Sequence, residues 1–116
     1  MRYTLYGIKN CDTVRRARQW LNSRAVPYTY RDLRIDGLDA MELKRWIAAV
    51  GWETLLNRRS TSWRELSETE RSDIDQARAI ALMLAEPTLI KRPVLVCGGE
   101  VYVGFSEANY AKICDN

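Results

Sequence analysis

The chain has 116 residues, 47% of them apolar, which is enough for one ordinary core and too short for two domains. Its formal charge is +3 with basic and acidic residues interspersed, so composition carries no electrostatic footprint for DNA. There is no histidine, and the three cysteines at positions 11, 97 and 114 lack the close paired spacing of a zinc site; histidine-based catalysis is excluded and a metal centre is not expected.

Residues 2–6, rich in aromatic and β-favouring side chains, predict a first strand that breaks at Gly7 and continues as a loop to Cys11. Val14, Ala17 and Leu21, with Trp20 beside them, fall at helical spacing and predict a helix over 13–23 that is closed off by Pro27. Residues 28–32 predict a second strand, and a strand–helix–strand unit of this length implies parallel pairing through a right-handed crossover. Asp39 and Glu42 have capping-box spacing, and Leu43, Trp46, Ile47 and Val50 give the strongest helical period in the chain before Gly51. A short helical turn is predicted over 53–56, then a polar loop over 57–62 that holds Arg58 and Arg59. Ser62 with Glu65 and Ser67 with Glu70 repeat the capping-box spacing, and Ile74, Ala77, Ala81 and Leu84 predict a further helix that stops before Pro87. Two apolar runs, 94–97 and 100–103, flank Gly98-Gly99 and predict a hairpin with a primed turn. Ser106 is expected to cap a last helix ending near Cys114.

Cys11 stands where a strand hands over to a helix. The first backbone N–H groups of that helix have no partner within it, and with the positive end of the macrodipole they favour a thiolate lying against them. Lys9, Arg15 and Arg16 supply nearby positive charge, and Asn10 and Thr13 flank the sulfur. A cysteine in such a loop also serves commonly as a small core hydrophobe, and from these residues alone both readings stand open. Arg58 and Arg59 are candidate anion ligands, although adjacent loop arginines are commonly solvated. Cys97 is expected in the core and Cys114 at the surface. No apolar run approaches the roughly 20 residues of a membrane span, and the odd cysteine count fits a reducing compartment, so a cytoplasmic protein without a membrane partner is expected.

Three ordered blocks resemble the arsenate reductase (ArsC) and Spx family of thioredoxin-like proteins, and within it the small YffB-type branch. They are residues 6–15, the run Leu55-Leu56-Asn57-Arg58-Arg59-Ser60-Thr61, and Leu89-Ile90-Lys91-Arg92-Pro93 with Gly104-Phe105-Ser106-Glu107. The resemblance implies a single monomeric α/β domain with a four-stranded mixed sheet, its thioredoxin-like core over 1–38 and 87–116 and an all-helical insertion over 39–86. It implies that Arg92-Pro93 is cis and sets Arg92 over Cys11, where the guanidinium stabilises the thiolate and receives an anion; Lys9, Asn10, Thr13, Arg58 and Arg59 are the further anion contacts. Truncating Arg92 is expected to leave stability nearly unchanged. Val14 stands where a thioredoxin has its resolving cysteine, so Cys11 works alone, with no bound cofactor or metal and with glutathione or glutaredoxin regenerating it. Arsenate reductases of this type carry a hydroxyl residue at the position of Val14, a histidine near that of Gly7, and arginines at those of Asn57 and Gly104. These losses imply weak arsenate binding, and the expected activity is a glutathione-dependent thiol reductase acting on a small oxyanion or thiol substrate. The alternative is an Spx-like regulator that binds RNA polymerase but lacks the Cys-x-x-Cys switch.

Overall fold

The computed structural model describes residues 2–114. Strands β1 (Tyr3–Gly7), β2 (Tyr28–Asp32), β3 (Val94–Cys97) and β4 (Glu100–Val103) form one mixed sheet in the order β2-β1-β3-β4. β1 runs parallel to β2, with Tyr3 opposite Tyr28 and Gly7 opposite Asp32, and helix α1 (Asp12–Ser23) makes the crossover. β3 is antiparallel to β1, with Tyr3 opposite Cys97, and β4 is antiparallel to β3. This is the thioredoxin-like arrangement.

Alternation along the strands divides the core into two layers, because successive side chains point to opposite faces. Tyr3, Leu5, Leu95 and Cys97 face Ala17, Trp20 and Leu21 of α1 and Tyr110 of α7 (Glu107–Cys114). On the other face Val94, with Tyr6, Val96, Val101 and Val103 around it, meets the helical segment between β2 and β3. There Leu43, Trp46 and Ile47 of α2 (Ala40–Val50), Leu55 of α3 (Trp52–Leu55), and Ala79 and Met83 of α6 (Gln76–Ala85) are buried. Each large aliphatic or aromatic side chain fully enclosed this way contributes about 1.5–3 kcal/mol. No helix among the described residues is long and apolar enough to cross a membrane.

The local chemistry departs from the sequence expectation at several points. Asp39 does cap α2, accepting from the Met41 N–H at 3.1 Å, and Gly51 ends it at φ 87°. Glu42 does not close the capping box; it accepts instead from Tyr6 Oη at 3.3 Å and Trp46 Nε1 at 3.2 Å, two part-buried donors that need a partner. Helix α4 (Thr61–Glu65) begins earlier than predicted, capped by Ser60, whose Oγ accepts from the Trp63 N–H at 3.1 Å. Ser62 lies inside that helix and its hydroxyl pairs with that of Thr88. The box at Ser67 and Glu70 forms as expected on α5 (Glu68–Arg71). In α6 the buried pair is Ala79 and Met83, whereas Ala77 and Ala81 are exposed; the run 79–84 is apolar throughout, so its periodicity is compatible with more than one phase. Gly98 has φ 61° at the first central position of the hairpin, as a primed turn requires. Cys114 is half-buried against the α1 layer rather than exposed.

Candidate active site

Asn10 takes a left-handed φ of 66°, a conformation asparagine tolerates better than most residues, and this turn delivers Cys11 to the N-cap of α1. Cys11 is extended there (φ −109°, ψ 119°), and its carbonyl accepts the first helical bond from the Arg15 N–H at 2.9 Å. Its side chain caps nothing, so the sulfur is uncommitted beside the helix's unpaired N–H groups. The half-buried thiol opens on a cleft of about 350 Å³ whose polar lining is Lys9, Asn10, Arg15, Arg18, Gln19, Asn22 and Tyr30, with no carboxylate among them. Arg15 is partly neutralised by Asp12 at 2.6 Å, although so exposed an ion pair adds little stability. A larger hollow of about 620 Å³ beside Trp20 and Phe105 contains no thiol.

The loop ahead of Cys11 is pinned by a residue the sequence reading passed over. Asp32, only 6% exposed at the end of β2, accepts from the backbone N–H groups of Lys9 (3.0 Å), Arg34 (2.8 Å) and Ile35 (3.0 Å). Burial pushes its carboxyl up, but the N–H groups of Ile35, Arg34 and Lys9 outweigh burial and hold it below the usual carboxylate range. Asp32 is therefore a fixed anion that positions the segment carrying the thiol. The signal in sequence was an aspartate closing a strand before a turn, where its side chain can bond backbone N–H groups two and three residues on.

The departures from the arsenate-reductase pattern have physical partners. A Cβ built at Gly7 would lie 2.7 and 2.8 Å from the two methyls of Val14, which is 3% exposed. The side chain at 14 thus fills the space that any residue other than glycine would need at 7, and the two departures form one packing unit. Gly104 has φ 85°, where an arginine would be strained, and its N–H donates to the Pro93 carbonyl at 2.8 Å. Asn57 caps its own turn, its Oδ1 accepting from the Arg59 N–H at 3.1 Å.

The Arg92–Pro93 bond is cis, as expected. Arg92 is half-buried, and its Nη1 donates at 2.8 Å to the carbonyls of both Thr88 and Ile90. Its Nε is buried and has no hydrogen-bond partner among the described residues. Two backbone acceptors depend on this side chain, a role that the expectation of an unchanged stability did not include. Nearby, the Asn57 N–H donates to Leu89 O (2.7 Å), the Lys91 N–H donates to Leu55 O (2.8 Å), and Leu56 bridges Ile90, so the middle block is clipped to the segment before Pro93. Arg58 and Arg59 meet Lys91 and Glu53 around a hollow of about 380 Å³, with Arg58 over the Trp63 ring at 5.6 Å. That hollow shares no lining residue with the Cys11 cleft, and Arg92 and the half-buried Thr13 line neither. Of the candidate ligands the structure thus gathers Lys9 and Asn10 with Cys11, and sets Arg58 and Arg59 in a separate hollow.

The remaining thiols lie elsewhere. Cys97 lies opposite Tyr3 in the β1–β3 register and Cys114 packs in the same layer; burial foremost, with these two thiols, pushes the Tyr3 hydroxyl up to about 12. Cys11 follows the far end of β1, about 13 Å away at ~3.3 Å per residue. Neither thiol stands where it can resolve a disulfide at Cys11. Among the described residues no group of cysteine and carboxylate side chains is gathered for a metal ion.

A mixed four-stranded sheet, a thiol at the N-terminus of the first helix and a cis-proline ahead of the third strand define a protein of the thioredoxin-like class. The ArsC family matches residues 6–113, and the chain belongs to that family, among its arsenate reductase-like and Spx-like proteins. An uncharacterised protein of Haemophilus influenzae is 42% identical over 107 residues, covering 92% of this chain and 94% of that one. The global transcriptional regulator Spx of Enterococcus faecalis is 27% identical over 106 residues, covering 90% of this chain and 80% of its own. Of the solved structures, the YffB protein superposes with a TM-score of 0.91 at 50% identity, covering 95% of this chain and 96% of its own. An ArsC-related protein of Brucella melitensis gives a TM-score of 0.79 at 49% identity, covering 97% and 93% respectively.

Proposed function

We propose that the protein is a glutathione-dependent thiol reductase in which Cys11 is the only protein thiol that reacts. The observation that carries this reading is an N-cap sulfur that caps nothing, in a cleft lined by cations and amides with Val14 where a second sulfur would be needed. In the first step the Cys11 thiolate attacks the glutathionyl sulfur of a mixed disulfide; that S–S bond breaks, the substrate leaves as a thiolate that takes a proton from water, and Cys11 becomes glutathionylated. In the second step a glutathione thiolate attacks the same glutathionyl sulfur, which regenerates Cys11 and yields oxidised glutathione. The sum is one mixed disulfide and one glutathione converted to one free thiol and one oxidised glutathione. Glutathione is thus a co-substrate rather than a bound cofactor, and a glutaredoxin would serve the second step equally. In this reading Lys9 and Asn10, which line the Cys11 cleft, are the anion contacts, whereas Arg58 and Arg59 line a separate hollow and Arg92 is turned to the Thr88 and Ile90 carbonyls. The Gly7–Val14 packing unit and the backbone at Gly104 argue against efficient arsenate reduction. The test is consumption of NADPH, coupled through glutathione reductase, with a glutathionylated peptide as substrate. Turnover that disappears in Cys11→Ser is expected, and equal turnover by that variant would refute the proposal.

A second reading, an Spx-like regulator, is favoured by the similarity to Spx over 90% of the chain. It calls for retention of purified RNA polymerase on the immobilised protein, undiminished in Cys11→Ser and lost when Arg58 and Arg59 are both changed to Ala. No retention at low salt would remove it.

A further inference from the structure

We propose that Arg18, seated over Tyr30, is a carboxylate-binding subsite for the thiol co-substrate of Cys11, so that the co-substrate is a peptide-like thiol lying along α1 rather than a compact oxyanion. This rests on the reading of Cys11 as nucleophile.

Cys11, Arg15, Arg18 and Asn22 succeed one another at intervals of four, three and four residues, which places them on one stripe of α1 leading away from the sulfur. Arg18 stands seven residues beyond Cys11, about 10 Å along the axis at ~1.5 Å per residue. Its guanidinium carbon lies 4.0 Å from the centroid of the Tyr30 ring, and its Nε donates to Tyr28 Oη at 3.1 Å. Two tyrosines of the edge strand therefore hold the planar group in place. Its terminal nitrogens make no hydrogen bond or ion pair among the described residues, whereas those of the neighbouring Arg15 are drawn to Asp12. For stability so exposed a stacking contributes little; its consequence is a guanidinium fork held by two rings with its terminal nitrogens uncommitted among the described residues, the geometry that receives a carboxylate through two parallel bonds.

The span selects the ligand. An oxyanion attacked by the sulfur sits next to it and does not extend two helical turns. The thiol of glutathione is on its central residue, so a terminal carboxylate stands one to two residues from the sulfur, ~4–7 Å in an extended peptide, and the Arg18 side chain, which leans back toward the helix N-terminus, spans the remainder. The amide side chains of Gln19 and Asn22, at and beyond the level of Arg18, line the same cleft, and no carboxylate lines it to repel the incoming one.

The test compares two disulfides. With oxidised glutathione, the Cys11 thiolate attacks one sulfur, the S–S bond breaks, one glutathione thiolate leaves and the glutathionyl adduct remains; with bis(2-hydroxyethyl) disulfide the same exchange occurs without any carboxylate. Second-order rate constants for adduct formation are read by intact mass spectrometry. Arg18→Gln should slow the reaction with oxidised glutathione roughly ten- to a hundredfold, the loss of a charge-assisted contact, and leave that with the neutral disulfide within about twofold. Arg18→Lys should recover part of the rate. Arg31→Gln removes the same charge beside Tyr30 but lines a different hollow, with Tyr6 and Tyr28, and should leave both rates unchanged. Equal slowing of both disulfides by Arg18→Gln, no slowing of either, or slowing by Arg31→Gln as large as by Arg18→Gln would overturn the subsite. If the parent protein forms no adduct with either reagent, the nucleophile reading fails and the subsite falls with it.

Discussion

Replacing Gly7 by Ala isolates the packing unit that separates this chain from the arsenate-reductase pattern. The new methyl carbon would sit 2.7 Å from Val14 Cγ1 and 2.8 Å from Cγ2. Carbon atoms prefer about 3.5–4.0 Å, so the methyl intrudes by ~1 Å on two buried groups at once. Val14 cannot swing freely: it is 3% exposed, and a β-branched residue in a helix has one strongly preferred rotamer. Overpacking of this kind costs about 1–3 kcal/mol, offset by about 0.4–1 kcal/mol because alanine has less freedom in the unfolded chain. Val14→Ala alone removes two buried methyl groups and costs about 2 kcal/mol or somewhat more. In the double variant the methyl at 7 moves into the space vacated at 14. The two losses should therefore fail to add, with a favourable coupling of about 1–2 kcal/mol. Urea unfolding of the four proteins of the cycle measures it. Additive losses would mean that Gly7 and Val14 do not occupy one shared space.

Arg92→Ala should cost about 1.5–3 kcal/mol in urea unfolding, because the carbonyls of Thr88 and Ile90 lose a charged donor at 2.8 Å. Arg92→Lys should recover only part of it, and an unchanged midpoint for Arg92→Ala would contradict the bonding. Asp32 makes stability depend on pH in a defined direction: its folded-state pKa is held below the ordinary value, so its contribution is complete above the ordinary carboxylate range and is lost as pH falls through the folded-state value. Asp32→Asn should be less stable at neutral pH and lose less stability on acidification; parallel acid limbs in parent and variant would refute this.

The sheet was legible because its signals are local. β2, β3 and β4 have the predicted bounds, since Pro27, Pro93 and Gly98-Gly99 punctuate runs of β-favouring residues. β1 begins and ends one residue later than predicted, because Gly7 pairs with Asp32 instead of breaking the strand. Helix α1 was readable from Val14, Ala17, Trp20 and Leu21, all of which are buried. The buried side of α6 was not, as a stretch apolar on every side carries no phase. The place of Cys11 at the start of α1 was legible from the strand-to-helix pattern, and the cis bond at Pro93 by resemblance. What stayed hidden depends on contacts between distant segments. Glu42 chooses Tyr6 and Trp46 over its own helix end, Arg92 turns to backbone carbonyls, and Arg18 finds the tyrosines of β2. None of these follows from spacing along the chain.

In the proposed mechanism Cys11 is the reactive thiol and exchanges with glutathione. Intact mass spectrometry after incubation with oxidised glutathione at neutral pH, followed by peptide mapping, tests it most directly. One glutathionyl adduct on Cys11, reversed by reduced glutathione and absent from Cys11→Ser, is the expected result. An adduct that appears first on Cys97 or Cys114, or equally in Cys11→Ser, would contradict it.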